Sequence, residues 1–92
     1  MKSDLLKIIN NYGVRHQLKK LNEEVFELEE AILNDITFYD ESIGHIAEEI
    51  ADVMVMLGQF QYYYEIEDTE IRRIMSMIAD RQIERIANEY NR

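Results

Sequence analysis

The 92-residue chain contains no cysteine, no proline and no tryptophan, and only three glycines. Without cysteine there is no disulfide framework, no thiolate nucleophile and no zinc-cysteine site, and the imidazoles of His16 and His45 are the only nitrogen ligands left. Any metal held here is expected to be a hard, oxygen-bound one. With proline absent, glycine rare and few short alternating apolar runs, the pattern favours an all-helical fold. No stretch approaches the roughly 18 uninterrupted apolar residues of a membrane span. The opening "MKSDLLKIINNYG" has neither the apolar core nor the small-residue cleavage site of a secretory leader, so a cytoplasmic location is expected and no membrane partner. Positive charge is also scarce: ten Lys and Arg against 19 Asp and Glu give a net charge of −9. This argues against a nucleic-acid partner, because sequence-independent binding depends on basic side chains that displace counterions. Phosphate-bearing small molecules stay open, since a divalent cation can bridge two anionic groups.

What is present reads as a single domain over residues 1–92, with 47% hydrophobic residues and four helical segments. The first runs from about Ser3, as N-cap, to Asn11, and a turn follows at Gly13. The second covers 14–34, with Leu18, Leu21, Val25, Leu28 and Ile32 as its apolar stripe. "NDITFYDES" breaks the pattern, with Asp40 or Ser42 as cap of a third helix over 41–64 whose stripe is Ile46, Ile50, Val53, Leu57, Phe60 and Tyr64. A polar turn around "EIEDTE" leads to a fourth helix over 69–90 with Ile71, Ile74, Met75, Ile78 and Ile86. The expected architecture is a small helix bundle. Helix three also carries Met54, Val55 and Tyr62 off its stripe, so it needs more than one neighbour; a homo-oligomer, dimer or tetramer, is expected. Met54 and Met56 read as packing residues, Tyr62, Tyr63 and Tyr64 as core or interface, His45 as structural or exposed, and Gly58 either as the site of a close helix contact or as a tolerated glycine.

The acids are not scattered evenly. At about 100° per residue, Glu49 and Asp52 fall roughly 60° and 120° to one side of the third helix's stripe. Glu24 and Glu27 fall roughly 70° and 130° to one side of the second's, with Gln17 and Lys20 on the same border. Glu23, Glu30 and Glu48 point outward. Two antiparallel helices can thus bring four carboxylates to one edge. Like charges about 4 Å apart repel by about 4 kcal/mol at the effective dielectric near a protein surface, and a divalent cation relieves this at neutral pH. Oxygen-only ligands suit Mg²⁺, with Mn²⁺ as a substitute. The same spacing also serves solvated faces with intrahelical ion pairs, such as Lys20 with Glu24, and on spacing alone both readings stand.

"EEVFE" at 23–27, followed by "EIAD" at 49–52, resembles the E-E-x-x-E and E-x-x-D signature of the MazG-like all-alpha nucleoside triphosphate pyrophosphohydrolases. "YGVRHQLKKLNEEVFELEEAI" is similar to that family's opening, and the short chain to its phage and prophage members. The resemblance implies Mg²⁺-dependent cleavage between the α and β phosphates of a nucleoside triphosphate, giving a monophosphate and pyrophosphate. It implies Glu24, Glu27, Glu49 and Asp52 as metal ligands and a glutamate, Glu24 or Glu27, as the base that activates water. Lys20 would contact phosphate, Gln17 the base or sugar, and "ADRQIER" nominates Arg81 and Arg85 near the triphosphate. A phosphoribosyl-ATP pyrophosphohydrolase-like enzyme and a non-catalytic helical adaptor are the alternative functions.

Overall fold

The computed structural model describes residues 1–39 and 42–91. Four α-helices appear, and no strand among the described residues: α1 (Lys2–Tyr12), α2 (Val14–Phe38), α3 (Ile43–Tyr63) and α4 (Asp68–Tyr90). Gly13 alone links α1 to α2. Its φ of 92° and ψ of 155° suit only glycine, and its N–H donates to Ile9 O at 2.8 Å while its own carbonyl accepts from Gln17 N–H at 3.0 Å. One residue therefore closes one helix and opens the next, which fixes the start of α2 against the end of α1.

Two of the expected boundaries shift. The N-cap of α1 is Met1, without a side-chain cap bond, and Ser3 lies inside the first turn, where the neighbouring Asp4 faces the positive end of the helix dipole. Helix α2 runs on through "NDITF", since neither proline nor glycine interrupts it. It stops where Tyr39 turns left-handed at φ 57° and donates its N–H to Asp35 O at 2.9 Å. Ser42 caps α3 as expected, its Oγ accepting from His45 N–H at 3.0 Å. Asp40, the other expected cap, lies outside the described residues.

Helices α1, α2 and α3 pack on one another, and α2 runs antiparallel to α3: Gln17 faces Gln59, Glu24 faces Asp52, and Ala31 and Asn34 face His45. Gly58 lets α1 come close to α3, because a Cβ there would lie 2.8 Å from Leu5 Cδ1. The buried apolar core is small, made of Leu5, Ile9, Ala31 and Met56. Helix α4 packs against none of the other three and buries no residue.

The apolar stripes also sit differently. On α2 the buried residues are Gln17, Glu24 and Ala31, flanked by half-buried Leu21 and Leu28, while Leu18 and Ile32 are exposed. On α3 the inward residues are Ile46, Glu49, Val53, Met56, Gln59 and Phe60, while Ile50 and Leu57 are exposed, as is Tyr64 just past its end. Both helices are turned by roughly 60° from the orientation that apolar periodicity alone dictates. The turn brings polar side chains to the centre of the α2–α3 contact.

Candidate metal centre

Three carboxylates meet in that contact. Glu24 on α2 and Glu49 and Asp52 on α3 each offer an oxygen such that all three lie within 4.8 Å of one another. The i, i+3 step places Glu49 and Asp52 on one side of α3, and the antiparallel register sets Glu24 opposite them. Glu24 and Glu49 are largely enclosed, with side chains 11% and 12% exposed, and Asp52 opens to solvent.

Each enclosed acid is half satisfied. Glu24 Oε1 accepts the Lys20 ammonium at 3.2 Å, and Glu49 Oε1 lies 3.7 Å from His45 Nε2. The second oxygens, Glu24 Oε2 and Glu49 Oε2, are buried without a hydrogen-bond partner. An unsatisfied buried acceptor costs about 1–3 kcal/mol, and more when charged. Two such atoms beside a third carboxylate form an oxygen-only donor set with more negative charge than Lys20 can balance. The set fits a hard divalent cation such as Mg²⁺ or Mn²⁺, which would use both orphaned oxygens.

Glu27 stands at the rim. It is not one of the three convergent acids, yet it shares a cleft with Glu30, Ala31, Asn34, His45 and Glu49. The Glu24 carboxylate beside it, then loss of surrounding water, then Glu49, hold its pKa above the usual carboxylate value. Of the four acids expected to converge, three do so and Glu27 borders them. Lys20 is held protonated by its hydrogen bond to Glu24 and that group's charge, and it also reaches Glu23 at 3.8 Å. Its position one turn before Glu24 agrees with the helical spacing.

Beyond Lys20 an open cleft of about 500 Å³ lies between α1, α2 and α3, walled by Tyr12, His16, Gln17, Met56 and Gln59. Tyr12 and His16 stack with centroids 5.1 Å apart. Gln17 is more buried than a border position suggests: its Nε2 donates to Gln59 Oε1 at 2.8 Å, and its Oε1 lies 2.7 Å from His16 Nδ1. Gln59, 1% exposed, is a buried amide that the helical spacing of acids and apolar residues does not reveal. The available signal is that a lone amide inside "VMLGQF" must find a buried partner, and Gln17 is the amide that α2 can present. Met56 is buried as expected, but Met54 is exposed.

Arg81 and Arg85 lie on α4, which packs against none of the helices that build the acidic site. Within one chain the structure does not bring them to the carboxylates. Tyr62, Gln61 and Asp68 form a separate cluster at the α3–α4 turn, where Tyr62 Oη and Gln61 Nε2 both donate to Asp68 Oδ1 at 2.8 Å. These two bonds hold the Asp68 carboxyl below its usual pKa. No helix among the described residues is long and apolar enough to cross a membrane. Comparison with family models, with curated proteins and with solved structures finds no match to this chain.

Proposed function

We propose that the chain is a Mg²⁺-dependent nucleoside triphosphate pyrophosphohydrolase, releasing a nucleoside monophosphate and pyrophosphate. The observation that carries this reading is the pair of orphaned, buried oxygens on Glu24 and Glu49, two acids that converge with Asp52. Such an arrangement is unfavourable in the empty protein and suits a site whose ligand brings positive charge. Glu24, Glu49 and Asp52 hold the cation, with Glu27 at the rim. When bound, the cation neutralises the triphosphate and lowers the pKa of water at the reacting phosphorus.

The chain's own groups divide the remaining work. Glu24 is enclosed and tied to Lys20, which leaves Glu27, with its raised proton affinity and open position, as the base that takes the proton from the attacking water. The water oxygen bonds to the α phosphorus, and the bond to the bridging oxygen breaks, with its electron pair leaving on pyrophosphate. Lys20, half exposed beside the acids, meets the phosphates. The cleft behind it, with Gln17 and Gln59 fixed edge to edge and the Tyr12–His16 stack at its mouth, receives the sugar and base. The candidate substrates are standard deoxynucleotides, damaged ones and dUTP.

The deciding assay measures pyrophosphate release across a panel of nucleoside triphosphates with Mg²⁺ or Mn²⁺, for the wild type and Asp52→Ala. Release from at least one member, lost in Asp52→Ala, supports the reading. No release from any member refutes the catalytic assignment, and retained thermal stabilisation by the cation would then leave a metal-binding adaptor.

A further inference from the structure

Four side chains of the cleft wall, on α2 and α3, form a line of short contacts. His16 Nδ1 lies 2.7 Å from Gln17 Oε1, Gln17 Nε2 lies 2.8 Å from Gln59 Oε1, and Gln59 Nε2 lies 3.6 Å from Met56 Sδ. An amide has one donating end and one accepting end, so a row of two amides must run in a single direction. Two directions are self-consistent at these distances. In one, His16 Nδ1–H donates to Gln17, Gln17 to Gln59, and Gln59 to the sulfur. In the other both amides are reversed, His16 Nδ1 accepts, and Gln59 Oε1 faces Met56 Sδ. A thioether can only accept a hydrogen bond, so the second arrangement sets two acceptors against each other where Gln59 is 1% and Met56 5% exposed. The sulfur decides for the first.

That direction reassigns the work of the cleft. Gln17 is enclosed and has both ends of its amide engaged, so it is not the group that reads a ligand. His16 is exposed at the cleft, and its ring is steadied by stacking on Tyr12. With the proton of the neutral ring held on Nδ1, Nε2 carries only a lone pair. We infer that His16 Nε2 is a fixed acceptor for a hydrogen-bond donor on the bound molecule, and that Gln17, Gln59 and Met56 are positioning residues that keep it so. Resting on the nucleotide reading above, the donor is a sugar hydroxyl or a base amino group. A cleft built this way favours a ligand that brings an O–H or N–H to His16 and disfavours the analogue that lacks it.

The first arm of the test needs neither metal nor nucleotide. Long-range proton–nitrogen correlation spectra of the full chain, in mildly alkaline buffer, distinguish the protonated from the bare nitrogen of each imidazole, and His45→Gln identifies the His16 signals. Wild-type His16 is expected in the Nδ1–H form, the reverse of the one a free neutral histidine side chain favours, because its bond to Gln17 sets the tautomer. Met56→Leu, close in volume, removes the contact that chooses between the two directions and is expected to move His16 to the Nε2–H form. An Nε2–H wild type, or an Nδ1–H ring unmoved in Met56→Leu, overturns the inference. The second arm is steady-state pyrophosphate release. Met56→Leu and His16→Phe, which keeps the stack, should each raise KM about tenfold, the worth of one neutral hydrogen bond, with kcat nearly unchanged. Dideoxy against deoxy substrates test the hydroxyl, and dCTP against dUTP the amino group: the effect of His16→Phe on KM should vanish with the analogue that lacks the donor. An effect that persists equally on all of them overturns the assigned contact. No turnover of any nucleotide refutes the proposed reaction and strikes the nucleotide as the donor, whereas the tautomer still decides the direction of the chain.

Discussion

The sharpest consequence of the acidic cluster is that removing one of its members should stabilise the protein without metal and destabilise it, relative to wild type, with metal. Glu49→Gln keeps shape and removes charge. At 4.8 Å, the outer limit of the ligand-atom separations, two unit charges repel by roughly 3.5 kcal/mol at an effective dielectric of about 20. Glu49 makes two such pairs, with Glu24 and with Asp52. Solvent at the exposed Asp52, the Lys20 ion pair on Glu24 and the lost His45 contact all reduce the gain. A net stabilisation of about 2 kcal/mol is expected in chelator, or roughly 8–16 °C in melting temperature for a domain of this size. Cation at a hundred times its dissociation constant stabilises the wild type by about 2.7 kcal/mol, roughly 10–20 °C, and the variant hardly at all. The two melting curves therefore exchange order between EDTA and millimolar Mg²⁺ or Mn²⁺, as read by differential scanning fluorimetry. Glu48→Gln, an exposed acid one residue away, controls for diffuse cation binding and should respond like the wild type. A wild type indifferent to both cations, or a Glu49→Gln variant that responds equally, refutes the reasoning.

Three further outcomes follow from the same contacts. Glu27→Gln should raise the melting temperature in chelator, because Glu24 and Glu49 repel the charge it removes; turnover should fall by about 10²-fold or more in the pyrophosphate assay if Glu27 is the base. Asp68 has a depressed carboxyl pKa from its bonds to Tyr62 and Gln61, so its contribution to stability is present above its unfolded value of 3.8 and is lost as the pH falls through the lower folded value. Asp68→Asn should therefore melt below the wild type near neutral pH, with the gap closing as the pH falls below 3.8, and a gap independent of pH would contradict the assignment. Gly58→Ala gains about 1 kcal/mol of helix propensity but meets Leu5 Cδ1 at 2.8 Å, an overpacking that costs about 1–3 kcal/mol. In a Leu5→Ala background the clash is gone and the same change should turn favourable by about 1 kcal/mol, measurable by urea unfolding.

Much of the fold is legible because the sequence contains so little that interrupts a helix. Four helical segments follow from the absence of proline and the placement of Gly13 and Ser42, and the ends misjudged are those lacking a breaker, as at Asn34–Phe38. The candidate site is legible in kind: acids at i, i+3 on two successive helices, with Lys20 one turn before Glu24. Its position is less so. Amphipathic reading puts apolar residues at the centre and acids at the border, whereas Glu24 and Gln17 occupy the centre of the α2–α3 contact and Leu18 faces out. Periodicity cannot tell which of two adjacent faces meets a neighbour when one is apolar and the other carries mutually compensating polar groups. Nor can it tell whether the stripe on α4 meets its own chain or another.

The displaced faces connect the acidic cluster to the exposed apolar surface. The rotation that sets Glu24 against Glu49 and Asp52 also turns Leu18 and Ile32 on α2, and Ile50 and Leu57 on α3, out of the three-helix body. A helix has one inward face, and a carboxylate that occupies it displaces a leucine. At about 25 cal/mol per Å² of apolar surface, the side chains so exposed forgo stabilisation that burial on the inward faces would have supplied. On this argument the acidic centre and the exposed apolar surface arise together: an inward face given to carboxylates sends apolar side chains to the outside.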